Sequence, residues 1–439
     1  MNGDFETDLN VAIVGCGTVG SGVIRILQAN ADQLAARAGR RLNLRRVVVR
    51  DKTRPRSVDI DPSLVTDDIN SVIGDPAIDV VIQVMGGINP ALQYMTQILQ
   101  SGKDVITANK ALLHAHGEEL FSLAEENGCC ISFEAAVAGG IPVIAAVTQC
   151  LTANQIRSIE AILNGTSNFI LSRMLDCRLT YEDVLAEAQA LGYAEADPAM
   201  DVDGIDAAQK LAILTQLAFG TRVALDQIIV QGIRQVELLD LQVALELGYK
   251  VKLLAISRMV QDRLQVSVQP TLVRAERAVA QTGGADNIIA LEGDALGTLR
   301  LSGAGAGQMP TASAVVADLV DYATGRAPLT FASILRTRHQ TPVPIHPPDE
   351  FSRRYYLRFV VADRPHVLAD ITDVLGLCGI SISSVRQDET PDETEGNQGV
   401  ARLVIITHRT TEGKLRTANA RLATLSCIQG TGISMPISD

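Results

Sequence analysis

Along the first 140 residues, short continuous apolar runs alternate with segments whose apolar positions recur at helical spacing. NVAIV (10–14), RRLNLRRVVVRD (40–51), IDVVIQVMGG (78–87), KDVITANK (103–110) and CCISFEAAV (129–137) read as strands. Between them, GSGVIRILQANADQLAARAG, PALQYMTQILQSG and ALLHAHGEELFSLAEENG read as helices. Period-3.6 segments alternating with uninterrupted apolar runs mark helices packed on strands that are buried on both faces. Such an alternation predicts a parallel sheet with right-handed crossovers.

After Gly139-Gly140 the pattern changes. Residues 155–164 and 246–270 read as strands and 167–177, 180–191 and 203–219 as helices, an α+β arrangement with a mixed or antiparallel sheet. GAGAGQMPTASAVVADLVDYA (303–323) is a glycine turn followed by a well-patterned helix, and QTPVPIHPPDEF (340–351), with four prolines in twelve residues, reads as a linker. The remainder predicts a small βαββα unit. The expected fold class is therefore α/β: a Rossmann-type parallel-sheet domain over 1–138, completed by 303–340; a substrate-binding and dimerisation region over 139–302; a linker over 341–352; and a separate small domain over 353–439.

Composition narrows the functional classes. A net charge of −12 with no basic block argues against nucleic acid as a partner. No run of about 18 apolar residues predicts a membrane span, and the acidic start MNGDFETDLN does not look like a leader. Seven cysteines without a C-x-x-C spacing suggest reduced thiols and a cytoplasmic protein.

Gly15-Cys16-Gly17-Thr18-Val19-Gly20 follows a strand and opens a helix. In that setting the glycines allow a tight turn and close approach to a pyrophosphate, which the helix N-terminus attracts with its unpaired N–H groups; a purely structural turn is the competing reading. At the end of the second strand, Asp51 would favour NAD by accepting from ribose hydroxyls. Arg50, with Arg54 and Arg56, favours the extra phosphate of NADP, and the balance leans to NADP. Lys110 follows the fourth strand at its carboxyl end, the edge along which open parallel sheets bind ligands.

LGYAEADPAMDVDGIDAAQKLAIL (191–214) sets four aspartates and Glu195 beside a single cation, Lys210, at the mouth of an apolar helix. Asp206 and Lys210 are four apart and share a helical face. An exposed pair of this kind contributes only a few tenths of a kcal/mol, so a solvated ion pair is the bland alternative. The neighbouring Glu195, Asp197 and Asp201 tilt the balance toward a ligand. Carboxylates hold an ammonium, and a desolvated lysine exchanges a proton with a hydroxyl. Beside a nicotinamide cleft this suits hydride transfer from an amino alcohol. The segment AILNGTSNFIL (161–171) adds free amides and short polar side chains suited to a carboxylate, or to an ordinary helix cap.

GCGTVG, VMGG, VITANKALL, FEAAVAGGIPVI, NGTSNFIL, GYAEADPAMDVDGIDAAQKLAIL and GAGAGQMPTASAVVADL together resemble the homoserine dehydrogenase family over residues 10 to about 340. The resemblance implies NAD(P)-dependent interconversion of L-homoserine and L-aspartate 4-semialdehyde, on the route to threonine, methionine and isoleucine. It implies Lys210 as general acid/base, Asp206 as its orienting partner, Glu195 and Asp201 in the homoserine site, and Lys110 between nicotinamide and substrate. Arg50 would lie at the adenosine ribose and Gly307 at the cofactor. Glu134, Val137, Gly139 and Ile141 match a loop that in the family binds a monovalent cation, usually sodium, through backbone oxygens. Gln83 departs from the family, where Glu is common. A catalytically idle sensor of cofactor and amino acid is the rival reading; it would need the acid/base pair broken, and both members are present.

YYLRFVVADRPHVLADITDVLGLCGISISSVRQ (355–387) resembles an ACT domain. That resemblance implies an amino-acid effector, threonine for this pathway, and edge-to-edge assembly as a homodimer or homotetramer. His366 stands where such domains usually carry Gly, and Gly379 where Asn is common. A module that assembles subunits without a ligand is the alternative.

Overall fold

A computed structural model describes residues 8–389, 400–430 and 432–438. The chain forms two compact units, one of Met1–Arg157, Gln209–Val223 and Leu291–Val343, the other of Ser158–Ala208, Ala224–Ala290 and Pro344–Asp439.

In the first unit six parallel strands run in the spatial order Val65–Thr66, Leu42–Val48, Leu9–Val14, Val80–Gln83, Asp104–Thr107, Ile131–Ser132. The two central strands are the most apolar, and Val11, Ile13, Val80 and Ile82 are wholly buried. Chain order reverses between Leu9–Val14 and Val80–Gln83, which creates the crevice at the carboxyl strand ends where doubly wound sheets hold ligands. Three details differ from the sequence reading. The first helix is two, Thr18–Ala29 and Ala31–Ala38, broken at Asn30, whose φ of −116° and ψ of 22° leave the helical region. The second strand ends at Val48, leaving Arg50 and Asp51 in the following loop. The last strand is only Ile131–Ser132, after which Glu134–Ala136 form a 3₁₀ turn.

The helix Gln308–Ala323 packs on Thr18–Ala29, and a Cβ at Gly22 would lie 2.9 Å from the Ala312 methyl. Ile13, Val23, Ile24, Val315 and Leu319 share one core beneath the glycine turn, so the helix that opens at that turn is held from behind.

The second unit is built on a mixed sheet whose strands follow the order Ile156–Ile162, Tyr249–Val260, Arg263–Arg274, Ile433–Ser438, Ser352–Ala362, Val400–Thr407, Ile382–Glu389. Residues 246–270 resolve into a long hairpin turning at Gln261-Asp262, both with positive φ, as a two-residue hairpin loop demands. The proline-rich segment is extended and docked: Leu264 N donates to Pro344 O, and His346 N to Leu264 O, each at 2.9 Å. The C-terminal unit adds to the expected βαββα a closing strand, Ile433–Ser438. It lies parallel to Arg263–Arg274 and antiparallel to Ser352–Ala362, so the small module continues the larger sheet.

All seven cysteines are free. Among the described residues no helix is long and apolar enough to cross a membrane.

Candidate active site

The glycine turn opens a cavity of about 930 Å³ in the first unit. Gly15, Cys16, Gly17 and Thr18 line it from the turn, Arg50, Asp51 and Arg54 from the loop after the second strand, and Met85 and Gly86 from the loop after Val80–Gln83. Gly15 has φ 103°, a left-handed value that favours glycine. Gly20 lies beneath: a Cβ there would fall on the Gly15 carbonyl oxygen, and Val19 packs against the core. Gly307, with φ 119°, caps the helix Gln308–Ala323, and Gln308 reaches back to donate to Thr18 O at 3.1 Å. Hydrogen bonds from Thr53 hold the Asp51 carboxyl below the usual carboxylate range; Oδ1 accepts both the Thr53 amide (2.8 Å) and its hydroxyl (2.7 Å).

Because Gly20 must be glycine for the turn to close, Gly20→Ala is expected to misalign the amides that face the cavity. Hydrogen bonds to a charged group contribute about 1.5–3 kcal/mol each, so losing one raises the cofactor Kd roughly 10- to 100-fold. Quenching of reduced-nicotinamide fluorescence on titration measures it, and an unchanged Kd would contradict the assignment.

Lys110 begins the helix Lys110–Glu126. Asn109, before it, caps that helix by accepting from Leu112 N at 3.1 Å and donates to Met85 O (2.9 Å) and Gly87 O (2.7 Å). The Lys110 backbone is thereby tied to the loop that lines the cavity. Gln83 is fully buried, accepts the Thr107 hydroxyl at 2.8 Å, and its amide nitrogen has no hydrogen-bond partner among the described residues.

In the second unit the acidic stretch is organised by an asparagine. Asn164 caps the helix Gly165–Cys177 by accepting from Ser167 N at 2.8 Å, and its amide donates to Asp201 Oδ1 (2.7 Å) and Asp206 Oδ2 (2.9 Å). The Ser167 hydroxyl donates to Asp201 O at 3.0 Å. Two carboxylates would repel unless a donor stood between them, and Asn164, 4% exposed, is that donor. The helix Ile205–Phe219 starts in the second unit and continues into the first from Gln209; on it, Asp206 and Lys210 are 6% and 8% exposed, so the bland reading of a solvated pair does not hold. Glu195 and Asp197 are exposed, and Asp197 accepts from Ala199 N at 3.1 Å. Asn164 is the residue that sequence reasoning left out of its candidate set; its signal, NGTSN, is the same one an ordinary helix cap gives.

The Glu134 carboxylate accepts Ile144 N at 2.8 Å and Ala145 N at 2.7 Å, and burial pushes its pKa up to about 7. Its side chain is thus committed to the protein, and any cation here would see backbone oxygens. Ala138 and Gly139 both have positive φ, which turns the peptide groups of this loop away from regular helix or strand. Among the described residues no group of three or more His, Cys, Asp or Glu could hold a metal, but carbonyls are the donors a hard monovalent cation takes.

In the C-terminal unit His366 adopts φ 75° at the N-cap of the helix Val367–Leu377. The backbone keeps a glycine-like conformation with an imidazole attached. Beside it lies a cavity of about 530 Å³ lined by Asp363, Arg364, His366, Leu368 and Gln387.

Comparison with known proteins identifies the family of the chain. Family profiles described as "Homoserine dehydrogenase, NAD binding domain", "Homoserine dehydrogenase" and "ACT domain" match residues 15–134, 142–320 and 355–427. A homoserine dehydrogenase of Pseudomonas aeruginosa is 41% identical over 430 residues, covering 96% of this chain and 97% of that protein. The solved structure of a homoserine dehydrogenase from Thiobacillus denitrificans superposes with a TM-score of 0.85 at 39% identity, covering 99% of each chain. A hyperthermophilic archaeal homoserine dehydrogenase in complex with NADPH matches with a TM-score of 0.61 at 26% identity, over 72% of this chain and 97% of that one.

Proposed function

The chain belongs to the homoserine dehydrogenase family of NAD(P)-dependent oxidoreductases, and from that premise we propose how its residues divide the reaction between L-homoserine and L-aspartate 4-semialdehyde. When bound, the nicotinamide cofactor supplies the hydride acceptor or donor. Lys210 handles the proton: its neutral amine takes the hydroxyl proton of homoserine as the alcohol carbon is oxidised, and its ammonium returns that proton to the aldehyde oxygen in reduction. Asp206 orients the lysine from one helical turn away, itself fixed by Asn164. Asp201 and Glu195 take the substrate ammonium, the amides at the start of Gly165–Cys177 take its carboxylate, and Lys110 stands at the meeting of nicotinamide and substrate.

Gly15, Cys16, Gly17, Thr18, Val19 and Gly20, with Gly307, form the pyrophosphate cradle of this reading. NADP is the cofactor it favours, with Arg50 and Arg54 in the cavity wall at the ribose phosphate. Asp51 is engaged with Thr53, which weakens it as a ribose acceptor. The archaeal relative in complex with NADPH supports the same choice. A monovalent cation, sodium, would be held by the carbonyls of Glu134, Val137, Gly139 and Ile141. The domain boundaries, with a nucleotide-binding 1–138 completed by 303–340, a substrate and dimerisation region and an ACT-like end, belong to the same proposal.

The observation that carries this reading is Asn164 gathering Asp201 and Asp206, with Lys210 buried one turn further along the helix of Asp206. Purified protein mixed with homoserine and each oxidised cofactor in turn is expected to reduce NADP with a lower KM than NAD, followed at the reduced-nicotinamide band. Equal KM values would remove the role given to Arg50 and Arg54. Threonine added to the same assay separates an effector site at His366 from a module that only assembles subunits.

A further inference from the structure

Lys252 lies in the strand Tyr249–Val260 and is only 4% exposed. Its ammonium donates to Thr282 O at 2.7 Å, Asn168 Oδ1 at 2.9 Å and the Ser172 hydroxyl at 3.3 Å. Every one of these acceptors is neutral. Burying an ammonium is costly unless it is hydrogen-bonded or paired; these three bonds satisfy the donors with neutral acceptors, without an ion pair in the bonding.

The charge sits against the helix Gly165–Cys177. Asn168 is in its first turn and also donates to Asp286 O at 3.1 Å and Thr282 O at 3.3 Å. Gly165 presses on the same loop, where an added Cβ would lie 2.5 Å from Ala285 O. Helix start, the 282–286 loop and the ammonium therefore form one block. On the other side, Asn164 holds Asp201 and Asp206. A zwitterionic substrate finds carboxylates for its ammonium there, but its carboxylate must overcome the field of those same acids. A buried cation in low dielectric acts further than an exposed one.

We propose that Lys252 is a positioning residue of the substrate site: it fixes the start of Gly165–Cys177 and places behind it a buried positive charge whose hydrogen-bond acceptors are all neutral, which draws in the carboxylate end of the amino acid. This rests on the homoserine-binding reading above. Burial, with help from Lys250, pushes the Lys252 pKa down to about 8, against the pull of Asp176. The charge is therefore present below that pH and is lost as pH rises through it.

The test is steady-state kinetics from about pH 7 to 9 on wild type, Lys252→Met and Lys252→Arg, with the thermal midpoint of each. Lys252→Met is expected to raise KM for homoserine about tenfold at neutral pH while the cofactor KM moves by less than about twofold. Lys252→Arg keeps the charge at every accessible pH, so its homoserine KM stays near the wild-type value at neutral pH and lacks the alkaline rise. A homoserine KM in Lys252→Met equal to wild type would overturn the proposal, as would equal impairment of both variants with lowered midpoints, which means packing alone. If Lys252→Met does not fold, the difference between the wild-type and Lys252→Arg profiles decides, and superimposable profiles overturn the charge role. Absence of homoserine turnover in wild type removes the functional reading and this inference with it; wild-type turnover with an indifferent Lys252→Met removes this inference only.

Discussion

Lys210→Ala is expected to lower kcat by about 10²- to 10⁴-fold, the usual contribution of a positioned general acid or base, while cofactor Kd stays at the wild-type value. Lys210 is 8% exposed on the helix Ile205–Phe219, one turn from an aspartate that Asn164 holds at 2.9 Å. A buried lysine costs desolvation that a purely structural role does not require, since a leucine would fill the space without a charge to satisfy. The helix continues as LAILTQLAF, and Leu211, Ala212 and Leu214 are buried, so loss of the lysine should leave the helix formed. Lys210→Arg is expected to fail nearly as badly, because a guanidinium does not release its proton at working pH. Stopped-flow absorbance with the cofactor already bound separates the chemical step from binding. A kcat within about tenfold of wild type would exclude the proton-transfer role.

The second large effect concerns stability. Asp240→Ala is expected to destabilise the second unit by about 3–5 kcal/mol, the cost of leaving one member of a buried pair alone. Arg358 is 1% exposed and Asp240 0%. Arg358 Nε donates to Asp240 Oδ1 at 2.8 Å, the Tyr356 hydroxyl donates to the same oxygen at 2.8 Å, and Glu237 N donates to Oδ2 at 2.8 Å. Glu237 is a second carboxylate partner of Arg358 at 2.8 Å, which places the expected loss toward the lower end. Pairing Asp240→Ala with Arg358→Met should recover part of it, because no charge is then left buried. Thermal unfolding midpoints of the two single variants and the double variant measure the coupling; additive losses would mean that the pair acts as two independent contacts. The same segment reaches the acidic loop, with Ile233 N donating to Val202 O at 2.8 Å and Arg234 paired to Asp203. A raised homoserine KM should therefore accompany the lost stability.

How much of this was legible in the chain follows from where each signal comes from. The parallel sheet was readable because strands buried on both faces must be continuously apolar, as VVI (80–82) and VAIV (11–14) are. The closing strand Ile433–Ser438 was not: ISMPIS is short, carries Pro436, and is a strand only because Ser352–Ala362 and Arg263–Arg274 flank it. Asp206 and Lys210 could be placed on one face from their spacing alone, yet their burial depends on elements far away in sequence. Asn164 could not be told from an ordinary cap, since gathering Asp201 and Asp206 uses the amide nitrogen and capping uses the oxygen. Lys252 and Arg358 sit in strands whose alternation does not forecast a buried cation; the groups that accept from them, Thr282 and Asp240, lie 30 and 118 residues away.

The central claim is that the amine of residue 210 exchanges the proton that accompanies hydride transfer, and amine rescue tests it most directly. Lys210→Ala, loaded with oxidised cofactor and homoserine, is followed at the reduced-nicotinamide band while small primary amines of graded basicity are added. The account predicts turnover that is nearly absent without amine and rises with amine concentration and basicity at a constant cofactor Kd. Turnover by Lys210→Ala at close to the wild-type rate with no amine present would contradict it.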